Sequence, residues 1–237
     1  MITVQQIVYA RHPERWHALA TALGLVAPFP PAADWAEFDG GGVLAVHREI
    51  DDHADGTADL HLLVDDLEAA ERAVAGRDVV RSVMEGVGEV LTVRAASGVQ
   101  VTVSAGAKAT SGDLLMQPIW FQEDVAEARG ILEALGLRAD IVADRGGWVE
   151  MHADGGGCVG VHAALEPSIG LGFLARGDLD ALAARLVDAS FAASVVDEAY
   201  ARTIRVTDPD AWINGIQDDL YGYHREGSTA FSQPLLG

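Results

Sequence analysis

Leu23-Gly24-Leu25, Trp35-Ala36-Glu37, Gly40-Gly41-Gly42 and Val46-His47 form a series that the chain states twice. It returns as Leu135-Gly136-Leu137, Trp148-Val149-Glu150, Gly155-Gly156-Gly157 and Val161-His162. The displacement is 112 residues at the Leu-Gly-Leu step, 113 at the tryptophan and 115 at the histidine. A match in both order and spacing identifies an internal duplication of about half the chain, so one half can be read against the other.

Working outward from the first copy, residues 4–10 are apolar and β-prone, and His12-Pro13-Glu14 places a proline at the first turn of a helix. Trp16, Leu19, Ala20 and Leu23 recur at helical spacing until Gly24 closes the segment. Residues 34–39 and 43–49 alternate at period two around the glycine triplet and predict a hairpin. A second unit runs from a strand at 58–64 through a helix opening at Asp65-Asp66-Leu67 to strands at 79–84, 89–95 and 99–104. Ala107-Lys108-Ala109-Thr110-Ser111-Gly112-Asp113 is small and polar and reads as a linker. The third unit repeats the first, with a strand at 115–121 and a helix at 124–135. The fourth has a strand at 169–175, a helix from Asp178 to about Asp188, and strands at 192–196, 201–206 and 212–216. The expected fold class is α+β, four tandem βαβββ modules.

Bulk composition excludes several function classes. Sixteen basic against 36 acidic residues leave a net charge of −20, which repels nucleic-acid phosphates and anionic lipid surfaces. No apolar run reaches the roughly 18 residues of a spanning helix, and the N-terminus lacks a basic segment ahead of an apolar one. A cytoplasmic protein is expected. Cys158 is the single cysteine, so it forms no disulfide within the chain and reads as a buried thiol. Lys108 is the single lysine and lies in the linker, which argues against Schiff-base chemistry.

Four βαβββ units in tandem over about residues 3–218 resemble the vicinal oxygen chelate superfamily, which includes glyoxalases, bleomycin-resistance proteins and extradiol dioxygenases. The junctions Phe121-Gln122-Glu123-Asp124-Val125 and Leu63-Val64-Asp65-Asp66-Leu67, and the turn Asp208-Pro209-Asp210 before the last strand, carry the resemblance. It implies two glyoxalase-like domains with curved mixed sheets, at 1–106 and 114–220, a linker at 107–113 and a tail at 221–237. It also implies metal ligands on the first and last strands of the modules. Counting about seven residues back from each helix start gives Gln6, Asp59, Gln117 and Leu171, the last beside Gly170. The last-strand carboxylate positions hold Ala45, Thr102, Gly160 and either Gly215 or Asn214. A divalent ion requires three or four nitrogen, oxygen or thiolate donors, so the C-terminal half reads as metal-free and no cofactor is expected.

Strand alternation sends Leu44, Val46, Val159, Val161, Phe38 and Met151 under the helices. Trp35, Glu37, Ala45 and His47 in one half, and Trp148, Glu150, Gly160 and His162 in the other, then line a concave face, joined by Gln6 and Gln117. The candidate ligand-binding set is Gln6, Trp35, Glu37, His47, His61, Gln117, Trp148, Glu150 and His162. The remaining histidines, His152 among them, read as solvated. Should a metal bind, the richest donor set is Gln6, Glu37, His47, Asp59 and His61. The glycine triplets read as turns. The expected function is metal-independent binding or sequestration of a hydrophobic or aromatic small molecule against Trp35, Trp148 and Trp120, by a monomer or homodimer. The alternative is a metal-dependent lyase, isomerase or dioxygenase with Glu37 as base.

Overall fold

The computed structural model describes residues 1–84, 86–198, 201–216 and 222–227. Strand β1 (Ile2–Ala10) leads into helix α1 (Pro13–Ala22), then β2 (Trp35–Gly40) and β3 (Gly42–Arg48). The second unit is β4 (Ala58–Val64), α2 (Leu67–Ala73), β5 (Asp78–Met84), β6 (Gly88–Arg94) and β7 (Gln100–Ala105). The third is β8 (Leu114–Met116), β9 (Ile119–Gln122), α3 (Val125–Leu135), β10 (Arg138–Ala143), β11 (Trp148–His152) and β12 (Cys158–Ala163). The fourth is β13 (Ser168–Gly170), β14 (Phe173–Ala175), α4 (Leu179–Asp188), β15 (Ala193–Asp197), β16 (Arg202–Thr207) and β17 (Asp210–Gly215), and β18 (Tyr223–Arg225) follows. No helix among the described residues is long and apolar enough to cross a membrane.

Local chemistry sets the helix ends. Asp66, Asp124 and Asp178 each accept a backbone N–H of the first turn through a side-chain oxygen, which satisfies donors that the helix itself leaves unpaired. Gly136 closes α3 with a positive φ of 109°, a conformation that costs glycine little.

The N-terminal half forms one seven-stranded sheet, β2-β3-β1-β4-β7-β6-β5, in which the first strands of its two modules, β1 and β4, run antiparallel. The C-terminal half uses the same plan with a break. Its two first strands are each split, β8 from β9 at Gln117-Pro118 and β13 from β14 at Leu171-Gly172. Pro118 has no N–H to give the ladder, although Gln117 N still donates to Gly172 O at 3.0 Å. Two sheets result, β13-β9-β12-β11-β10-β18 and β15-β16-β17-β14-β8, in place of the single sheet expected for that half. The first module also differs from the third. Where the third has β10, the first has an isolated bridge, Val26 to Asp39. Pro28, Pro30 and Pro31 occupy this segment and remove the donors a strand would need.

The glycine triplets are more than turns. Val4 N donates to Gly156 O at 2.9 Å and Gly155 N to Ile2 O at 2.7 Å, while Gly41 N donates to Leu114 O at 2.8 Å and Met116 N to Gly41 O at 2.7 Å. Each half thus sets its glycine turn against the first strand of the other half. A Cβ at Gly155 would lie 2.6 Å from Ile2 O, and one at Gly157 2.7 Å from Val4 Cβ. This reciprocal contact, with α1 against α4 and α2 against α3, merges the helix-covered faces of both halves into one apolar core. Leu44, Val46, Phe38, Val159, Val161 and Met151 all lie in that core, as alternation predicts. The expected tail at 221–237 falls partly outside the described residues. Within them, β18 pairs with β10, and Arg225 bonds Asp140 at 2.7 Å.

Candidate functional site

The face of each sheet turned away from the helices carries the candidate side chains, but the two halves use it differently. In the N-terminal half, Trp35 pairs across the ladder with His47 and Glu37 with Ala45. Trp35 meets His47 edge-on at 5.7 Å between ring centroids, and Tyr9 lies 5.4 Å from His47 and stacks on His53 at 4.1 Å. His61 is buried and hydrogen-bonded through both ring nitrogens, to Thr102 at 2.7 Å and Ser104 at 2.8 Å. Burial pulls its pKa down to about 4, so it is neutral. Asp59 accepts from Tyr9 Oη at 2.9 Å and lies 3.1 Å from His53. Glu37 is bonded by Gln5 and flanked at 3.8 Å by Lys108, whose ammonium bonds Asp39 at 2.6 Å. The linker therefore lies across one end of this face, where Lys108 pairs with Asp39 and Glu37.

Gln6 corrects the expected lining. It pairs with Leu44 and Leu60, both core residues, so its side chain lies on the helix-covered side. There it is fully buried beside Met116 Sδ, while its oxygen accepts from Gly172 N. A count of one position separates it from Gln5, the residue that does face Glu37, and in a strand one position reverses the face. Trp120 is likewise fully buried in the shared core.

In the C-terminal half the same face opens into a cavity of about 1070 Å³, which Ala10, Arg15, Trp16 and Asp55 of the N-terminal half also border. Trp148, Phe121, Ile119, Leu171 and Trp212 supply apolar wall. The Trp148 ring folds over Gly160, where a Cβ would come within 2.3 Å of it, and both Trp148 and Phe121 pack beside His162. Across the floor runs a connected polar chain. Thr203 bonds Asn214 at 3.1 Å, Asn214 Nδ2 donates to Gln117 Oε1 at 3.3 Å, Gln117 Nε2 donates to Glu150 Oε2 at 2.8 Å, and His152 Nε2 meets Glu150 Oε1 at 2.7 Å. Gln117 and Glu150 are buried, and paired polar groups at low dielectric hold one another in a fixed geometry. Arg176 and Arg225 also lie on the wall, Arg225 paired with Asp140 at 2.7 Å, together with Asp55, Asp208 and Asp210.

The structure brings Gln117, Trp148, Glu150 and His162 together at this cavity. Trp35, Glu37, His47 and His61 lie on the other half's face. His152, expected in solvent, is half-buried and hydrogen-bonded in the chain. Its position two residues from Glu150 on one strand placed both on one face, a signal present in the sequence but outweighed by its lying at a strand end. Trp212, with the Arg205 guanidinium 4.2 Å from its ring centre, and Asn214 extend the site from the fourth module.

Among the metal positions implied by the resemblance, Gln6 and those of the C-terminal half do not suit a metal in this chain. Gln6 faces the core, Gly215 faces Leu179 of α4, Leu171 has no donor, and the Gln117 and Asn214 amides are engaged with each other and with Glu150 and Thr203.

No protein-family model matches the chain, and no curated protein matches it in sequence. Solved structures do match. A catechol 2,3-dioxygenase superimposes with a TM-score of 0.59 at 14% identity, covering 91% of this chain and 87% of that one. The 2,3-dioxygenase LapB from Pseudomonas sp. KL28 reaches 0.61 at 14% identity over 98% and 94%. A Mn(II)-bound glyoxalase from Novosphingobium aromaticivorans reaches 0.60 at 13% identity over 91% and 81%. At these identities the likeness is one of fold, the fold of these dioxygenases and of this glyoxalase. One scaffold hosts unrelated chemistries.

Proposed function

We propose that this protein binds a small, largely aromatic molecule in the cup of its C-terminal half, without a metal at the family's first- and last-strand positions. The observation that carries this reading is the cavity itself. Its volume of about 1070 Å³ is at the upper end of small-molecule pockets, and its apolar walls converge on one ordered polar floor. An aromatic ligand meets the Trp148 and Phe121 rings of the wall, where offset or edge-on contacts each contribute about 1 kcal/mol beyond area burial. Hydroxyl groups of the ligand face the Gln117, Glu150 and His152 groups, and a ligand carboxylate faces Arg176. The dioxygenases that share the fold are named for catechol and homoprotocatechuate, and these compounds are the natural first probes.

Calorimetric titration of chelator-treated protein with catechol, homoprotocatechuate and non-hydroxylated phenylacetate tests the reading. Saturable one-to-one binding that weakens at least tenfold in Trp148→Ala is expected. Absence of saturable heat across an extended panel of monocyclic and bicyclic aromatics would remove it.

A further inference from the structure

Beside the family's ligand positions but at none of them, Glu150 and His152 on β11 and Cys158 on β12 each present one ligand atom, and these atoms all lie within 4.8 Å of one another. The register explains why. On β11 and β12, His152 stands opposite Cys158 and Glu150 opposite Gly160, so three donors project from one face around a position with no side chain. Cys158 is fully buried, Glu150 is 7% exposed, and Glu150 and His152 border the cavity.

We propose that Glu150, His152 and Cys158 form a binding site for a divalent, thiophilic cation of the zinc type, with its fourth position open to the cavity. The chemistry of the donor set favours this class: one thiolate, one imidazole and one carboxylate leave a tetrahedral ion with a single exchangeable position. In a tetrahedral shell, ligands about 2.0–2.3 Å from one ion lie about 3.3–3.8 Å apart, so the set, now within 4.8 Å, closes on a cation with movements of about 1 Å. The bond between His152 Nε2 and Glu150 Oε1 is exchanged for two bonds to the ion, while Gln117 Nε2 continues to hold the other carboxylate oxygen. Charge also balances. A cysteine thiol, with an ordinary pKa of about 8.5, carries its proton at neutral pH. The incoming dication takes the place of the thiol proton, which leaves to solvent, and two anionic ligands neutralise it with no change of oxidation state. The site shares the cup with the proposed ligand but does not rest on that reading, since water completes the shell.

The test uses tag-free, full-length protein stripped with chelator and titrated with cobalt(II) and then zinc(II) alone. One equivalent of cobalt should bind, with a near-ultraviolet thiolate-to-cobalt charge-transfer band, release of a proton, and protection of Cys158 from a thiol reagent; zinc should displace it. Cys158→Ser should lose the band, and His152→Gln should weaken binding at least tenfold, with circular dichroism matching the wild type. His47→Ala and His61→Asn, in the other half, should leave the titration unchanged. Binding without the charge-transfer band, binding unaffected by both Cys158→Ser and His152→Gln, or no stoichiometric uptake would overturn the proposal. Failure of the aromatic panel with cobalt binding intact would overturn only the ligand reading.

Discussion

The two halves carry the same Trp-Glu-His series on corresponding strands, yet the linker lies over one face and the other borders a cavity. In the N-terminal half, Lys108 and the linker lie over Glu37 and Asp39, and His61 is locked between Thr102 and Ser104. In the C-terminal half, Pro118 and Gly172 split the central strands, and the gap exposes Gln117, Glu150 and His152 to a cavity. The third module's extra strand, which the prolines of the first module prevent, supplies Asp140 and Ile141 to that wall. The same series of residues can therefore serve packing in one copy and recognition in the other. What decides between them is whether the neighbouring segments close over the sheet.

The strongest way to break this comparison is to separate the halves. Gly156 has φ of 120°, and a Cβ there would lie 2.0 Å from Thr110 Oγ1. Gly156→Ala should cost about 4 kcal/mol, the sum of backbone strain and overpacking, measured by denaturant unfolding. Gly88→Ala, at a φ of 97° with nothing within 4 Å, should cost only about 1–2 kcal/mol. Equal losses would mean that close approach of the halves contributes nothing.

The buried histidine of the closed face gives the next largest effect. Its pKa is about 4 in the folded protein against 6.5 as the ordinary value, so between those values the unfolded chain binds the extra proton. The stability contributed by neutral His61 is present above pH 6.5 and is lost as pH falls toward 4, up to about 3 kcal/mol. His61→Asn should flatten that part of the stability profile. A wild-type profile already flat between pH 7 and 4.5 would contradict the burial of a neutral imidazole.

Smaller still is the tether over the closed face. Lys108→Met removes the partner of Asp39 and Glu37, both partly exposed, and should cost about 1 kcal/mol or less. Ligand binding in the other half should not change. A large loss of binding would show that the two faces are coupled.

Much of this was legible in the sequence, because duplication and period-two alternation are strong signals. The core residues Leu44, Val46, Val159 and Val161 follow from alternation alone, and the aspartate caps of α2, α3 and α4 follow from their place ahead of apolar helical runs. Gln6 was misplaced because position counting from a helix start carries an error of one residue, and one residue inverts a strand. The cavity was not legible. It arises where Pro118 and Gly172 break two strands that meet only in three dimensions, and no local pattern announces that pairing. The interlocking of the glycine triplets with the opposite first strands is long-range for the same reason, so in the sequence they read only as turns.

The most direct measurement is a pair of tryptophan emission titrations, with Trp148→Phe and Trp35→Phe proteins and the tightest-binding aromatic from the panel. An open C-terminal cup and a closed N-terminal one predict that Trp148→Phe loses most of the ligand-dependent change in emission and that Trp35→Phe retains it. A response abolished by Trp35→Phe and preserved in Trp148→Phe would place the ligand on the face that the linker covers, and would contradict the account.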